Sequence, residues 1–184
     1  MPFSFEPTEL PEVVEITPKV FPDERGSFSE IFKASDFAGH AVPNTFKQMN
    51  RSISKKDVLR GLHYQKNPMA QGKLLSVMAG TIFDVAVDIR VGSPTYGKWI
   101  SRELSAEKKN MLYVPAGYAH GFCVMSDEAT VIYFCSEEYA PDLERGIMWN
   151  DKTLNITWPT QLPLLSPKDK EYPRLEEADN NFTL

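Results

Sequence analysis

Short apolar runs rich in Val, Ile, Phe, Tyr and Leu recur along the chain, and proline or glycine separates each run from the next. This rhythm is typical of an all-β protein. The predicted strands are Val13–Pro18, Gly26–Phe32, Phe46–Ser54, Val58–Gln65, Lys73–Ala79, Gly80–Arg90, Lys98–Leu104, Asn110–Val114, Ala119–Met125, Thr130–Cys135 and Gly146–Met148. So many short strands in one chain predict a sandwich or barrel.

The clearest alternation runs from Phe83 to Arg90, where apolar residues at every second position are separated by polar or small ones. In a strand, this pattern gives one apolar face and one polar or small face. If the strands close into a jelly roll, the polar face lines a cavity. The alternative is a polar face that is simply solvated, as is common in antiparallel sheets.

Helix is scarce in this pattern. Lys33–Phe37 and Ser105–Lys109 are predicted as short turns, the second capped by Ser105, and the proline-rich tail contains one further turn at Ser166–Lys170. We find no internal repeat and no low-complexity segment, so we expect one domain over residues 1–184. The last residues, Asn180–Leu184, are expected to be frayed.

Charge and composition narrow the function classes. The 184 residues include 20 Lys and Arg against 25 Asp and Glu, a net charge of -5, which argues against a nucleic-acid partner. The N-terminus lacks the basic region of a signal peptide, and the longest apolar-rich stretch is shorter than the ~20 residues of a membrane span. Cys123 and Cys135 lie among apolar residues and are expected to be buried thiols. We expect a cytoplasmic protein without a membrane partner.

Two sequence segments are similar to the metal-binding motifs of small jelly rolls, but the histidine count is too low. His63 is followed two positions later by Gln65 where a second histidine is usual, and His120 ends the segment PAGYAH. The third histidine, His40, lies in a predicted loop. A catalytic zinc or iron site usually has three protein ligands, so we predict that the protein holds no metal.

Without a metal, His63 becomes a candidate proton carrier, because an imidazole suits acid–base chemistry near neutral pH. Arg60 precedes it by three residues and Lys73 follows on the next predicted strand, which would place a base, a phosphate ligand and a cation together. Tyr133 lies in an apolar strand, where a phenol could act as an acid. The alternatives are a core histidine, a surface arginine and a packing tyrosine.

Several motifs occur in order along the chain: DERGSFSE at 23–30, RGLHYQ at 60–65, GKL at 72–74, DVAVDIR at 84–90, GSPTYG at 92–97, PAGYAHGF at 115–122 and SPKD at 166–169. Together they closely resemble the dTDP-4-dehydrorhamnose 3,5-epimerase family. The similarity runs from about Val13 to Leu175. It implies a cupin-type jelly roll that forms a homodimer, uses no cofactor and acts on a dTDP-linked 4-keto-6-deoxy sugar on the way to dTDP-L-rhamnose.

The resemblance also implies roles for individual residues. His63 would be the base, oriented by Asp169 through the ring nitrogen that the reaction does not use. Tyr133 would be the acid on the opposite face of the sugar, and Lys73 would stabilise the enolate oxygen. His120 and Asp84 would form a polar pair in the cavity wall. From the residues alone, nothing places the tail carboxylate of Asp169 near His63.

The nucleotide contacts are implied in the same way. Arg25 and Arg60 would face the pyrophosphate, and Phe28 and Tyr139 would enclose the thymine. The further polar contacts would come from Glu30, Gln48, Asn50, Glu144 and Lys168. In the family some of these come from the partner subunit. One position departs from the pattern, since Met49 replaces the usual acidic residue beside Gln48.

Three alternative functions stay open at this point. Related enzymes epimerise only C3 of a similar sugar, and sequence motifs do not report the regiochemistry. A sugar-nucleotide-binding jelly roll without activity would show erosion of the base or its partner, whereas His63, Tyr133, Lys73 and Asp169 are all present. A metal-dependent cupin is the third alternative, which metal analysis of the purified protein would test.

Overall fold

Two antiparallel sheets dominate the computed structural model, which describes residues 2–184. In chain order the strands are β1 (Phe3–Pro7), β2 (Val14–Pro18), β3 (Val20–Asp23), β4 (Gly26–Ser29), β5 (Gln48–Lys55), β6 (Leu59–Gln65), β7 (Lys73–Ala79), β8 (Thr81–Asp88), β9 (Trp99–Ser105), β10 (Met111–Val114), β11 (Tyr118–Val124), β12 (Glu128–Cys135) and β13 (Glu144–Gly146). The helical elements are α1 (Ala34–Phe37) and 3-10 turns at Pro141–Leu143, Lys168–Lys170 and Leu175–Glu177. Within the described residues, no helix has the length and apolar character needed to cross a membrane.

The six-stranded sheet has the order β1-β2-β10-β7-β12-β5, and the five-stranded sheet has the order β13-β6-β11-β8-β9. Strands β3 and β4 form a separate hairpin. All the pairings between neighbouring strands of the two sheets are antiparallel. Two facing antiparallel sheets around a common core are the architecture of a cupin-like jelly roll, which confirms the predicted fold class.

The core between the sheets is built from the inward positions of both. Leu75 and Val131 of the six-stranded sheet belong to the same buried cluster as Ile82, Ala86 and Phe122 of the five-stranded sheet. Because inward and outward positions alternate along a strand, this cluster fixes which residues face the interior. The polar positions of β8 are among them: Asp84 and Asp88 are both 0% exposed, so the alternative of a solvated face is wrong.

Different parts of the chain cover the outer faces of the two sheets. The N-terminal part, including Phe37 of α1 and Val42, packs on the six-stranded sheet. The C-terminal tail packs on the five-stranded sheet through Leu154, Trp158 and Leu175. The tail therefore lies directly behind the strands that carry His63 and His120, although it contains little regular structure.

A β-bulge in β6 decides which residues face the interior. His63 pairs with His120 of β11, whereas Arg60 pairs with Phe122, so three steps along β6 match two steps along β11. Strict alternation would put residues 60 and 63 on opposite faces, and the extra residue brings both to the cavity side. Gly61 permits this crossing, because its φ is +128° and a Cβ there would lie 2.5 Å from the Cα of Gly121.

Most predicted strands are confirmed, with ends displaced by a few residues. The prediction missed β1, and it missed β3, which contains Pro22 and pairs only with β4. Proline is tolerated there because an edge strand needs fewer ladder hydrogen bonds. The turn at Ser105 is confirmed, since its Oγ accepts a hydrogen bond from the Lys108 amide at 3.1 Å.

The prediction of a frayed C-terminus is wrong in this structure. Thr183 forms a parallel bridge with Val91, and the Phe182 side chain is only 7% exposed. Two backbone hydrogen bonds to Val91 fix this end of the chain. The Val91 amide donates to the Phe182 carbonyl at 2.9 Å, and the Leu184 amide donates to the Val91 carbonyl at 3.1 Å. Burial of one aromatic ring supplies the anchor that the local sequence pattern did not indicate.

Candidate active site

A cavity of about 200 Å³ opens between the two sheets. Its lining residues are Arg60, His63, Lys73, His120, Phe122, Tyr133 and Glu144. We call the residues from the five-stranded sheet (60, 63, 120, 122 and 144) the histidine wall, and the two from the six-stranded sheet (73 and 133) the lysine wall. The cavity therefore joins side chains from both sheets, which are widely separated in sequence.

His63 in the histidine wall is paired with a carboxylate from the C-terminal tail. Its Nε2 donates to Asp169 Oδ1 at 2.5 Å, which leaves Nδ1 for other contacts. Asp169 is 3% exposed. Burial raises the pKa of Asp169, but hydrogen bonds and charge from His63, together with bonds from Ser166 and the Gly61 amide, outweigh it and leave the pKa lowered. The carboxylate is therefore ionised beside the imidazole.

Local structure in the tail holds Asp169 in place. Ser166 Oγ accepts a hydrogen bond from the Asp169 amide at 3.1 Å and donates one to Asp169 Oδ2 at 2.8 Å. Just before this turn, Leu164 forms a parallel bridge with Val58, the residue that precedes β6. The tail is thus registered against the strand that carries His63. This registration brings His63 and Asp169 together, although they lie 106 positions apart in the sequence.

His120 forms the second histidine–carboxylate pair, deeper in the same wall. Its Nε2 donates to Asp84 Oδ2 at 2.9 Å and to Oδ1 at 3.1 Å. Both residues are buried, and burial raises the pKa of Asp84 although His120 and Lys73 act in the opposite direction. The structure therefore brings His120 and Asp84 together as the resemblance implies.

The lysine wall carries Lys73 and Tyr133 on neighbouring strands, β7 and β12. Burial lowers the pKa of Lys73, while the charges of Cys135, Glu144 and Asp84 oppose that shift. Burial also raises the pKa of Tyr133, so its phenol stays protonated at neutral pH. Within residues 2–184, neither side chain makes a hydrogen bond or an ion pair.

Five of the predicted nucleotide contacts form a hydrogen-bonded chain at the rim of the cavity. Gln48 Oε1 accepts from the Tyr139 amide at 2.8 Å, and its Nε2 donates to Asn50 Oδ1 at 2.9 Å. The Tyr139 hydroxyl donates to Glu144 Oε2 at 3.0 Å, and the Lys168 ammonium bonds the same oxygen. Burial raises the pKa of Glu144, but these two donors leave it lowered overall.

Arg60 lies at the mouth and links the two sheets. Its Nε donates to Ser54 Oγ of β5 at 3.0 Å, so a residue of the six-stranded sheet fixes a guanidinium of the histidine wall. The remaining guanidinium nitrogens form no bond within the described part of the chain. A planar fork with free donors at a cavity mouth suits a phosphate group.

Three predicted nucleotide contacts, Arg25, Phe28 and Glu30, are not brought to this cavity. Arg25 lies at the tip of the β3–β4 hairpin, where its side chain is 90% exposed and pairs with Asp23 at 2.6 Å. Phe28 on the same hairpin is 65% exposed. Glu30 follows the hairpin, and none of the three is among the cavity-lining residues.

Sequence reasoning assigned no role to Phe122, Ser166 or Gln65, all of which shape the site. Phe122 lines the cavity, and it follows His120 in the motif PAGYAHGF. Gln65 bonds the carbonyls of Met69 and Glu138 and accepts from the Ala140 amide, so it secures the loops beside the rim. No cluster of three or more His, Cys, Asp or Glu side chains suited to a metal occurs in residues 2–184.

The fold and the cavity define an enzyme of the acid–base class built on a cupin-like jelly roll. A histidine–carboxylate pair faces a protonated phenol and an ammonium across one small cavity, with an arginine at the mouth. Groups of this kind transfer protons and stabilise a developing oxyanion.

Comparison with known proteins gives the family. The family model described as dTDP-4-dehydrorhamnose 3,5-epimerase matches residues 7–177, and the chain belongs to this family. It is 53% identical over 175 residues to dTDP-4-dehydrorhamnose 3,5-epimerase of Shigella flexneri, covering 94% of this chain and 96% of that protein.

Solved structures of epimerases are similar to this chain. The structure of dTDP-6-deoxy-D-glucose-3,5-epimerase from Legionella pneumophila in complex with dTDP-4-keto-L-rhamnose has a TM-score of 0.91 and 45% identity, covering 95% of this chain and 94% of that one. A 3'-monoepimerase from Streptomyces bikiniensis in complex with dTDP-quinovose has a TM-score of 0.87 and 35% identity, covering 93% and 87% of the two chains.

Proposed function

We propose that this protein is a dTDP-4-dehydrorhamnose 3,5-epimerase in which His63 and Tyr133 move the protons. Family membership and the relative holding dTDP-4-keto-L-rhamnose support the reaction, in which dTDP-4-dehydro-6-deoxy-D-glucose becomes dTDP-4-dehydro-L-rhamnose. The observation that carries the residue roles is the placement of His63 and Tyr133 on opposite walls of one cavity. A sugar ring between them presents one face to each.

The chemistry follows from the C4 ketone of the substrate. The ketone acidifies the hydrogens on C3 and C5, so a base can remove either one and leave an enolate whose charge lies on O4. The enolate regains a proton on the opposite face, and the carbon is then inverted with no net change in atoms or electrons. Two proton carriers on opposite faces and a cation near O4 are therefore required.

His63 is the base in this proposal. Asp169 holds Nε2, so Nδ1 is the nitrogen available to accept the proton from carbon. The ionised Asp169 then lies against the imidazolium that forms and stabilises it, as in other histidine–carboxylate pairs. The buried His120–Asp84 pair maintains the polar wall beside the base.

Tyr133 is the acid, and Lys73 stabilises the enolate. Tyr133 stays protonated because burial raises its pKa, and so it retains a proton to donate. The ammonium of Lys73 has no partner among residues 2–184, so it is available to the developing charge on O4. In a small cavity such a cation acts in a less polar medium than water, which strengthens its effect.

The nucleotide lies at the rim in this proposal. Arg60 faces the pyrophosphate, because its fork is anchored by Ser54 and still has free donors. Tyr139, half-exposed at the rim, offers a ring face for stacking with the thymine. Gln48, Asn50, Glu144 and Lys168 provide polar contacts around it.

A homodimer completes the nucleotide site in this proposal. Arg25 and Phe28 are exposed on the hairpin away from the cavity of their own chain, and we infer that they serve the cavity of the partner subunit. A shared site predicts complementation. An Arg25→Ala chain mixed with a His63→Ala chain should form dimers with one intact site and regain activity. If the mixture stays inactive while mixed dimers are present, the site is not shared.

Proton NMR in D₂O tests the reaction itself. The protein is incubated with dTDP-4-keto-6-deoxyglucose, and deuterium entry is followed at C3 and C5, with a reductase present to trap the product. Deuterium at both carbons, with the product trapped as dTDP-L-rhamnose, supports the proposal. Exchange at C3 alone would identify a monoepimerase like the Streptomyces bikiniensis relative, and no exchange would overturn the enzymatic function.

We place this reaction in the cytoplasm. Cys123 and Cys135 are both buried free thiols, which suits a reducing compartment. Fractionation of cells expressing the protein tests the placement, and recovery with the membrane or secreted fraction would contradict it.

A further inference from the structure

Tyr172, which follows Asp169 in the C-terminal tail, contacts the base from outside the cavity. Its ring pairs with that of His63 in an edge-to-face arrangement, with 5.6 Å between the ring centroids and 68° between the planes. This separation and angle are within the favourable range for aromatic pairs. Tyr172 is not among the cavity-lining residues, so its ring contacts the imidazole from outside the cavity.

Gly146 makes room for this contact. It pairs with His63 across β13 and β6, so it lies directly beside the base in the sheet. A Cβ at position 146 would lie only 2.5–2.6 Å from three ring atoms of Tyr172. The tyrosine ring is therefore packed against bare backbone at the strand position opposite His63. Any larger residue at 146 would displace it.

The hydroxyl of Tyr172 contributes no bond to this arrangement. It is buried and has no hydrogen-bond partner among residues 2–184. Burial and the charges of Glu144 and Asp169 raise its pKa, so the phenol remains neutral. The ring, and not the hydroxyl, is thus the part of Tyr172 that contacts the base.

A second contact on His63 is needed for a geometrical reason. One hydrogen bond to Asp169 fixes the position of Nε2 but leaves the imidazole free to turn about the axis of that bond. Proton transfer from carbon requires Nδ1 to point at one particular C–H bond, and small misplacements reduce rates strongly. An aromatic ring against the imidazole restricts that rotation.

We propose that Tyr172 is a positioning residue that sets the plane of the His63 ring, in combination with Asp169, and that Gly146 exists to admit its ring. The inference rests on the proposed role of His63 as the base. In this proposal the tail makes two complementary contacts with His63. Asp169 fixes the position of Nε2, and Tyr172 restricts rotation of the imidazole ring about that hydrogen bond.

Replacing Tyr172 by Leu and by Phe separates the ring from the hydroxyl. We expect Tyr172→Leu to lower kcat about 10–100-fold with KM and dTDP affinity nearly unchanged, because misorientation of the base affects the chemical step. Tyr172→Phe keeps the ring and should restore kcat to within about threefold of the parent. Phe182→Leu is the matched control, since it removes another tail ring that packs on the same sheet face at Tyr64 and should leave kcat unchanged.

Gly146→Ala provides an independent disturbance if Tyr172→Leu does not fold. The added methyl pushes the tyrosine ring away without removing it, and kcat should fall while KM is kept. Normal kcat in either folded variant, or an equal loss in Tyr172→Phe and Tyr172→Leu, would overturn the proposal. The failure of the proposed function gives different results: the parent protein would then show no deuterium exchange at C3 or C5, and His63→Ala would retain turnover if only the role of His63 as the base were wrong.

Discussion

The two walls of the cavity differ in how far they are organised before substrate arrives. In the histidine wall each imidazole already has a buried carboxylate, Asp169 for His63 and Asp84 for His120. In the lysine wall, Lys73 and Tyr133 have no bond to any other of residues 2–184. The protein itself thus holds the side chains of the histidine wall, whereas the donors of the lysine wall are free to bind a ligand.

This difference matches what the proposed mechanism requires of each wall. A base must be oriented before it meets a C–H bond, because carbon acids form no strong hydrogen bond that could align it. An ammonium and a phenol are aligned by the oxygen and the charge that develop on the substrate. Fixed contacts to Lys73 in the free protein would compete with the enolate for the same donors.

Removing His63, the proposed base, from the histidine wall should have the largest effect. We expect His63→Ala to lower turnover by ~10²–10⁴-fold, the usual contribution of a general base, with dTDP affinity little changed. Initial rates and calorimetric titration with dTDP measure the two quantities. His40→Ala is the control, because His40 stacks on Phe5 at 3.8 Å outside the cavity. Near-normal turnover of His63→Ala would mean that another group removes the proton.

Disturbing the lysine wall should have the next largest effect. We expect Lys73→Met to lower kcat by ~10²–10³-fold, as for loss of one oxyanion donor, while dTDP binding persists. In the proposed role Lys73 acts in its charged form, and burial lowers its pKa. Activity of the parent protein should therefore decline with rising pH below the ordinary lysine value of 10.5. A rate that is flat up to that pH would contradict a cationic role for Lys73.

Arg60, which links the two walls, should affect dTDP binding and not the rate of the chemical step. Charge-assisted hydrogen bonds contribute about 1.5–3 kcal/mol, so Arg60→Ala should weaken dTDP binding about 10–100-fold. At saturating substrate kcat should remain close to the parent value, because His63 and Lys73 are untouched. Titration calorimetry measures the affinity. Unchanged dTDP affinity would remove Arg60 from the phosphate site.

The smallest expected effect concerns the anchor of that arginine. Ser54→Ala removes the acceptor for Arg60 Nε, leaves the guanidinium charge in place and should weaken dTDP binding only about 2–10-fold. Ser52→Ala on the same strand is the control, since the Ser52 hydroxyl has no partner among residues 2–184. Equal effects of the two changes would show that the Arg60 bond is not what matters.

Local sequence patterns predicted most strands, because alternation and turn residues act over short distances. They failed where a structure depends on distant parts of the chain. Strand β3 contains Pro22, and only its position in an isolated hairpin makes the proline acceptable. The anchored C-terminus depends on the docking of Phe182 near Val91, and no periodic pattern in the sequence predicts that contact.

In the candidate site, too, local patterns predicted some residues and missed those that depend on distant parts of the chain. The sequence alone identified His63, Arg60 and Lys73 as a cluster, because they fall on adjacent predicted strands. It did not connect Asp169 to His63, because irregular chain registered on the outside of a sheet carries no local signal. Only the family resemblance supplied that pair. Neither the sequence patterns nor the family resemblance identified Tyr172, although a glycine in a strand, here Gly146, indicates close approach of another group.

The bulge at Gly61–Leu62 gives β6 an unusual sensitivity to insertions and deletions. Substitution of a residue alters one side chain, whereas loss of one residue at the bulge would exchange inside for outside in the part of the strand that lies beyond it. Either Arg60 or His63 would then point away from the cavity. Strand length at this point is therefore constrained as well as residue type, which the close approach of Gly61 to Gly121 already limits to glycine at position 61. A designer who grafts this wall onto another jelly roll must transfer the extra residue together with the side chains.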